Sequence, residues 1–328
     1  MVLPRRSTLK RFYFGLMRLL RQDDRLLRGL GRRHATAVLN LHEISPEDKP
    51  FWAPLHPTEF DELLSFLTKH FRVTTFHDAA TPTDDLRPSV ILSFDDGYQS
   101  FVEYAMPLLH KHHLSANQNV IGDSVVSGRP PWNTRLNDFL NAAPRSVINE
   151  LRLPGFGLRL SGDSPDEKAQ FGVALSRFLK LRPCASREPL WGRVEEVMDR
   201  GGFLTTTRMM NLDEVREAAK SHEIGAHSYS HESMAFESDE YFLSDFAKCE
   251  VLFRDQLKMP LDTYAFPNGI YRHEQVEMLQ ARGVRYVLLV EEKLATGLDG
   301  VFSRLTLSAQ SGLEARFQAV GYKARGVL

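Results

Sequence analysis

Cysteine is scarce in this chain. Only Cys184 and Cys249 occur among 328 residues, far apart and outside any CxxC or Cys/His cluster. Neither a disulfide framework nor a thiolate metal site is indicated, and a reducing compartment fits. No run approaches the roughly 18 apolar residues of a membrane-spanning helix. The basic start is not followed by an uninterrupted apolar segment and a small-residue cleavage site, so no secretory signal is read. There is no GxGxxG after the first strand-like segment and no GxxxxGK[ST] anywhere, which leaves nucleotide-phosphate binding without a motif. A net charge of -1, with 42% hydrophobic and 25% charged residues, is ordinary for a globular protein and argues against a nucleic-acid partner.

The charge is nonetheless uneven. Residues 1–35 carry ten Lys/Arg against Asp23 and Asp24, leaving 31 basic and 40 acidic residues in the remainder. Phe12, Leu16, Leu19, Leu20, Leu26, Leu27 and Leu30 recur in this basic arm at roughly helical spacing. Such a helix can lie on an anionic lipid surface, or it can pack its stripe on the domain and solvate its arginines.

From residue 36 onward, strand-like and helix-like stretches alternate. TAVLNLHEI (36–44), SVILSF (89–94), EIGAH, DTYAF and YVLLV read as strands; PTEFDELLSFLTKHF (57–71), GYQSFVEYAMPLLHKHHL, MNLDEVREAAKSH, DEYFLSDFAKCEVLFRDQL and HEQVEMLQARG read as helices, with Pro107 a kink or an early stop. This order implies parallel βαβ units, in a barrel or a doubly wound sheet. In either, chemistry belongs at the carboxyl ends of the strands. The predicted organisation is an arm (1–35) and an α/β unit (36–328), interrupted by an irregular stretch (124–205) with two short helices. That stretch reads either as an active-site cover or as a passive helical excursion.

The strand ends carry the informative residues. Asp95 and Asp96 follow SVILSF, His227 follows EIGA, Pro267 and Asn268 follow TYAF, and His42 ends VLNL. Two adjacent carboxylates at a buried strand end each resist ionisation unless a cation or a proton separates them. HSYSH places His227 and His231 four residues apart, where two imidazoles can converge with one carboxylate on a zinc-like ion. An HxxxH pair alone is weak; with DDG at another strand end, both features meet on one face.

SFDDGY and HSYSH resemble the first two motifs of the polysaccharide deacetylases, the carbohydrate esterase group with the NodB homology domain. The resemblance spans roughly residues 38–307 and implies a distorted (β/α)7 barrel with a helical insertion. It implies that Asp95 is the general base and that Asp96, His227 and His231 hold a divalent metal, usually Zn2+. It also implies that Ser228 hydrogen-bonds within its loop and that the backbone N–H of Asn268, in YAFPNG, helps hold an oxyanion. Two departures stand out. The family's third motif has an arginine two residues before the proline, where this chain has Ala265; Arg304, in FSRLTL, is the predicted substitute. The late LxH motif that supplies the general acid is missing from RLTLSAQSG, and LNLH, ending at His42, appears early instead. In a closed barrel the first and last strands are neighbours, so His42 is the predicted acid in a permuted order; His273 is the weaker competitor.

The implied activity is metal-dependent removal of an N-acetyl group from an amino sugar of a cell-surface polysaccharide or lipopolysaccharide, on a nucleotide- or lipid-linked precursor, with release of acetate. The expected location is cytoplasmic, at the inner membrane surface through the basic arm. The alternatives are an O-acetyl esterase or non-sugar amidase on the same site, and a non-catalytic carbohydrate-binding relative.

Overall fold

Eight short parallel strands account for the apolar runs: β1 (Thr36–Leu41), β2 (Arg72–Thr74), β3 (Ser89–Phe94), β4 (Asn117–Val120), β5 (Glu223–Ala226), β6 (Thr263–Ala265), β7 (Tyr286–Val290) and β8 (Val301–Thr306). The computed structural model describes residues 6–33, 35–49, 51–295 and 300–324. Neighbours run β1-β8-β7-β6-β5-β4-β3, and β1 pairs with β3 to close seven strands into a barrel. The register of that closing pair is Thr36↔Ser89 through Leu41↔Phe94. β2 is an eighth strand on the outer side of β3: Arg72↔Ser89 to Thr74↔Ile91 occupies the first half of β3, and β4 takes its end at Ser93↔Asn117 and Phe94↔Gln118. β1 and β8 are neighbours, with Leu39↔Leu305 in register, so the first and last strands do meet. β1 is buried along its whole length, as expected of a parallel strand covered on both faces.

The helices are α1 (Arg6–Leu19), α2 (Gln22–Arg32), α3 (Pro57–His70), α4 (Met106–Lys111), α5 (Gly122–Ser127), α6 (Trp132–Ala142), α7 (Arg145–Ile148), α8 (Pro165–Lys180), α9 (Cys184–Arg200), α10 (Leu212–Ala218), α11 (Asp239–Val251), α12 (His273–Ala281) and α13 (Gly312–Ala319). Local chemistry sets several of their starts. Pro57 opens α3 behind His56, whose Nδ1 accepts from Thr58 N–H, and Asn211 with Glu214 forms a capping box on α10. Pro107 neither stops its helix nor leaves it regular. Residues 101–105 form a π turn just ahead of it, with Met106 N–H reaching back five residues to Phe101; the wider turn absorbs the amide hydrogen that proline lacks.

The stretch 124–205 departs from the expectation of two short helices. It holds α6 to α9, of which α8 has 16 residues and α9 has 17. These helices bury their own cluster, including Trp132, Leu136, Phe139, Leu175, Leu179 and Trp191, with Phe51 from the loop after β1. Gly172 makes that junction possible, because a Cβ there would stand 2.8 Å from the Phe51 ring.

The basic arm folds into α1 and α2. Arg5 and the side chains of Arg6 and Arg11 lie outside the described residues. The predicted apolar stripe divides. Leu30 is buried and Leu26 and Leu27 pack on the barrel core, while Phe12, Leu16, Leu19 and Leu20 face outward. Phe14 holds α1 down, its ring 5.3 Å from Phe317 of α13. Among the described residues no helix is long and apolar enough to cross a membrane.

Candidate active site

Asp95 and Asp96 stand at the carboxyl end of β3 and, although adjacent, face different partners. Asp95 is bound by Arg304 in two parallel contacts, Nη1 to Oδ1 and Nη2 to Oδ2, each 2.8 Å. Asn119 Nδ2 donates to the same Oδ1 at 2.8 Å. Arg304 lies within β8 and is fully buried, so the pair is a buried fork-to-fork ion pair. Ser93, one pleat below, accepts from Arg304 Nη1 at 3.1 Å and donates to Asn117 at 2.8 Å. Burial pushes the Asp95 carboxyl up, but the charge of Arg304 outweighs it and holds the group at about 2.

Asp96 turns the other way. Its φ of 75° and that of Gly97, 76°, lie in the left-handed region. Such a backbone is costly for a non-glycine residue and is met where the surroundings enforce it. At Gly97 a Cβ would also approach Val120 to 3.2 Å, so the glycine of DDG lets the chain turn here. Asp96 Oδ1 lies 3.4 Å from His227 Nε2 and 3.2 Å from His231 Nε2. The three ligand atoms sit within 4.8 Å of one another and all three residues are buried. Burial raises the Asp96 carboxyl, but the hydrogen bond from His231 and the charges of the histidines hold it below the ordinary carboxylate range.

This donor set fits a divalent metal. His227 Nδ1 lies 2.9 Å from the carbonyl of Ala265; it can only donate there, which leaves the Nε2 of a neutral ring presenting a lone pair toward the Asp96 carboxylate. Burial keeps the ring neutral, with its pKa lowered to about 4. A buried lone pair facing a carboxylate oxygen is favourable only with a cation between them, and two imidazoles with one carboxylate are a zinc-type set that leaves positions open.

The HSYSH loop is shaped for this purpose. Ser228 and His231 both have positive φ, and Ser228 Oγ accepts from His231 N–H at 2.7 Å. Asp245, a buried carboxylate on α11, accepts from the N–H groups of Tyr229 and Ser230 at 2.8 and 2.9 Å and from Ser230 Oγ at 2.5 Å. Glu232, the next residue after His231, is ion-paired to buried Arg187 of α9. The sequence reading missed Asp245, although a lone acid between Phe242, Phe246 and Cys249 on a helix was a usable signal.

His42 follows β1 and is half-buried, near enough for its charge to lower both aspartates. Its ring stands edge-on to Trp52 at 5.6 Å, and the two line a cavity of about 150 Å³ with Leu307 and Gln310. Asn268 follows β6 with φ 60° and its side chain donates to Ser233 Oγ at 3.1 Å. His273 begins α12 with its side chain 82% exposed, apart from this group and 3.9 Å from Glu277. Ala265 occupies the place where an arginine was missed, and Arg304 reaches Asp95 from β8 instead. Another cavity, about 610 Å³, is lined by Phe246, Arg254 and Met259 among others. Its residues 258–261 precede β6, so it opens at the opposite end of the barrel.

The family profile for polysaccharide deacetylase matches residues 198–287, the segment with both histidines and Asn268 but not Asp95 or Asp96. Among solved structures, the Streptococcus pyogenes deacetylase PplD in complex with acetate is similar at TM-score 0.53 and 14% identity, over 83% of this chain and 92% of that one. IcaB from Ammonifex degensii is similar at TM-score 0.53 and 15% identity, over 87% and 97%. BC0361, a polysaccharide deacetylase from Bacillus cereus, is similar at TM-score 0.53 and 11% identity, over 87% and 69%. At these identities the structures speak for the fold. Comparison with curated proteins by sequence returned no match. The profile match over the histidine segment and the shared barrel bear out the resemblance read from DDG and HSYSH: over residues 198–287 the chain matches the polysaccharide deacetylase profile, and its barrel is the one found in those solved structures.

Proposed function

We propose that the chain removes the N-acetyl group from an amino sugar of a cell-surface polysaccharide or lipopolysaccharide, on a nucleotide- or lipid-linked precursor, and releases acetate. The observation that carries this reading is the division of labour between adjacent carboxylates: Asp95 is held by Arg304, and Asp96 faces His227 and His231. A scaffold that only bound metal would need no ionised second carboxylate with its own buried arginine. Asp96, His227 and His231 hold the ion, taken to be Zn2+. When bound, it supplies a Lewis acid that acidifies water and polarises the acetyl carbonyl.

The chain's own groups do the rest. Asp95 accepts the proton of the attacking water. Its pairing with Arg304 keeps it ionised and fixes its direction, at the cost of a weaker base than one poised near neutrality. The backbone N–H of Asn268 donates to the developing oxyanion. His42, protonated, donates to the departing amine, which is too basic to leave as an anion. A base that must be ionised and an acid that must be protonated give a bell-shaped pH dependence. Acetate release from N-acetylated sugars, lost in Asp95→Asn and His42→Ala while metal is retained, tests the assignment. O-acetyl sugars and non-sugar amides in the same assay test the alternative substrates, and sugar binding without turnover marks a non-catalytic relative.

For location, we place the enzyme at the cytoplasmic face of a membrane. The outward row of Phe12, Leu16 and Leu19 on α1, with Leu20 just after it, interleaved with Lys10, Arg18 and Arg21, supports contact with anionic lipid.

A further inference from the structure

Helix α8 ends beside the active site with a cation that has no counter-ion. Lys180 Nζ is 5.7 Å from the centre of the Trp52 ring, and among the described residues it makes no ion pair. Three other cations withdrawn from solvent are each neutralised by a carboxylate: Arg304 by Asp95, Arg187 by Glu232, Lys49 by Glu43. Burial lowers the Lys180 ammonium, and the charge that opposes this is that of Asp96. An amine held half-buried without a partner costs stability, which points to a ligand that completes it.

The surroundings have the form of a subsite. Lys180 lines a cavity of about 230 Å³ with Arg177, Asn133, Asn137, Trp52 and Asn268, the last being the proposed oxyanion donor. Asn133 is 8% exposed and its Oδ1 has no hydrogen-bond partner. Trp52 is 45% exposed and holds a φ of 58°, an outlier for a large side chain. That backbone is enforced from α6, where Asn141 accepts from Phe51 N–H at 2.8 Å and donates to Phe51 O at 3.0 Å. The helices between β4 and β5 are thus fixed at both sides of the site, at the Trp52 loop through Asn141 and at the metal-ligand loop through Arg187 and Glu232.

We propose that this cavity binds a phosphoryl group carried by the sugar whose N-acetyl group is removed, with Lys180 and Arg177 as its counter-ions. This rests on the deacetylase reading and narrows its substrate class. Arg177 and Lys180 are three residues apart on one helix face, and two cations match a phosphoryl dianion better than a carboxylate. They stand at the carboxyl end of α8, where the helix dipole favours cations and attracts no anion by itself, so the two side chains must supply the binding. Asn133 Oδ1 accepts from a sugar hydroxyl, and the exposed Trp52 face carries the ring.

The test is calorimetric titration of the metal-loaded protein with N-acetylglucosamine, N-acetylglucosamine 1-phosphate, the uridine diphosphate sugar and a farnesyl diphosphate-linked sugar, alongside acetate release from each. The phosphorylated sugars bind about tenfold tighter or better than the neutral one, a preference that shrinks with salt. Lys180→Gln loses most of it and Lys180→Arg recovers it; the nucleotide and polyprenyl arms separate the two sources of the phosphoryl group. Wild type with no preference for any phosphorylated sugar, or Lys180→Gln with the preference intact, overturns the subsite. Acetate release without that preference rejects the subsite alone. Selective binding without acetate from any sugar supports the subsite and rejects the deacetylase reading.

Discussion

Arg304 meets Asp95 across the barrel from β8, with both guanidinium nitrogens 2.8 Å from the two carboxylate oxygens. Removing one member of a buried pair leaves an uncompensated charge, at a cost of about 3–5 kcal/mol. In Arg304→Met the burial that raises the Asp95 carboxyl remains and the charge that lowers it is gone, so its pKa rises from about 2. The acid limb of the pH–rate profile should therefore move up by about one unit or more, with kcat reduced at least about tenfold. The sign for stability agrees. In wild type the depressed pKa contributes stability above the ordinary carboxylate range of about 4, lost as pH falls toward 2; the variant forfeits it at neutral pH. A pH–rate profile of Arg304→Met with the wild-type acid limb would remove Arg304 from the account.

The metal assignment is tested without turnover. Equilibrium dialysis against Zn2+ should give about one ion per wild-type chain and a melting temperature that rises with metal concentration. Asp96→Asn and His231→Ala should lose both effects, whereas Asp95→Asn, which leaves the three donors in place, should keep them. Loss of metal in Asp95→Asn to the same degree as in Asp96→Asn would contradict the split roles of the two carboxylates.

His222 makes acid stability a separate test, away from the catalytic groups. It is buried, its Nδ1 accepts from Ala116 N–H at 3.2 Å, and its ring stacks on His110 at 5.3 Å. Burial, aided by the charge of His110, lowers it to about 4. The folded value lies below the unfolded value near 6.5, so its contribution is present above pH 6.5 and lost as pH falls toward 4, on the order of 3 kcal/mol. Denaturant midpoints between pH 7 and 4.5 should fall less steeply in His222→Gln. His227 adds to the slope of the metal-free protein, so both proteins are compared in the same metal state; equal slopes would exclude His222.

Membrane contact depends on the outward face of α1. Phe12 is 74% and Leu19 78% exposed, so replacing both with serine removes apolar area without touching the core. Sedimentation with anionic vesicles should weaken about tenfold or more in the double variant, and wild type should bind neutral vesicles less well than anionic ones. Unchanged binding would leave α1 as a packing element alone.

The strands read from the sequence were those with unbroken apolar runs, and the polar residues at their ends fall at one mouth of the barrel. Three strands escaped: the three-residue β2, and β4 and β8, which share a reason. β4 is Asn-Gln-Asn-Val and β8 carries Ser303 and Arg304; Asn117, Asn119 and Arg304 are buried and all meet Ser93, and the last two bind Asp95. Residues that serve the site interrupted the hydrophobic pattern that marks a strand. Arg304 was found only because Ala265 left a role open. Asn141, Trp52 and Lys180 had no such prompt, since their meeting depends on how a long helical excursion folds back over the loop after β1. Nothing in the spacing of residues 124–205 encodes that contact.

The most direct measurement is acetate release from a panel of free, nucleotide-linked and lipid-linked N-acetylated sugars by metal-loaded wild type, Asp95→Asn and His42→Ala. The account predicts release by wild type and a fall of about a hundredfold or more in each variant, with bound metal unchanged. Turnover that survives Asp95→Asn, or a metal-loaded wild type silent on every sugar, would contradict it.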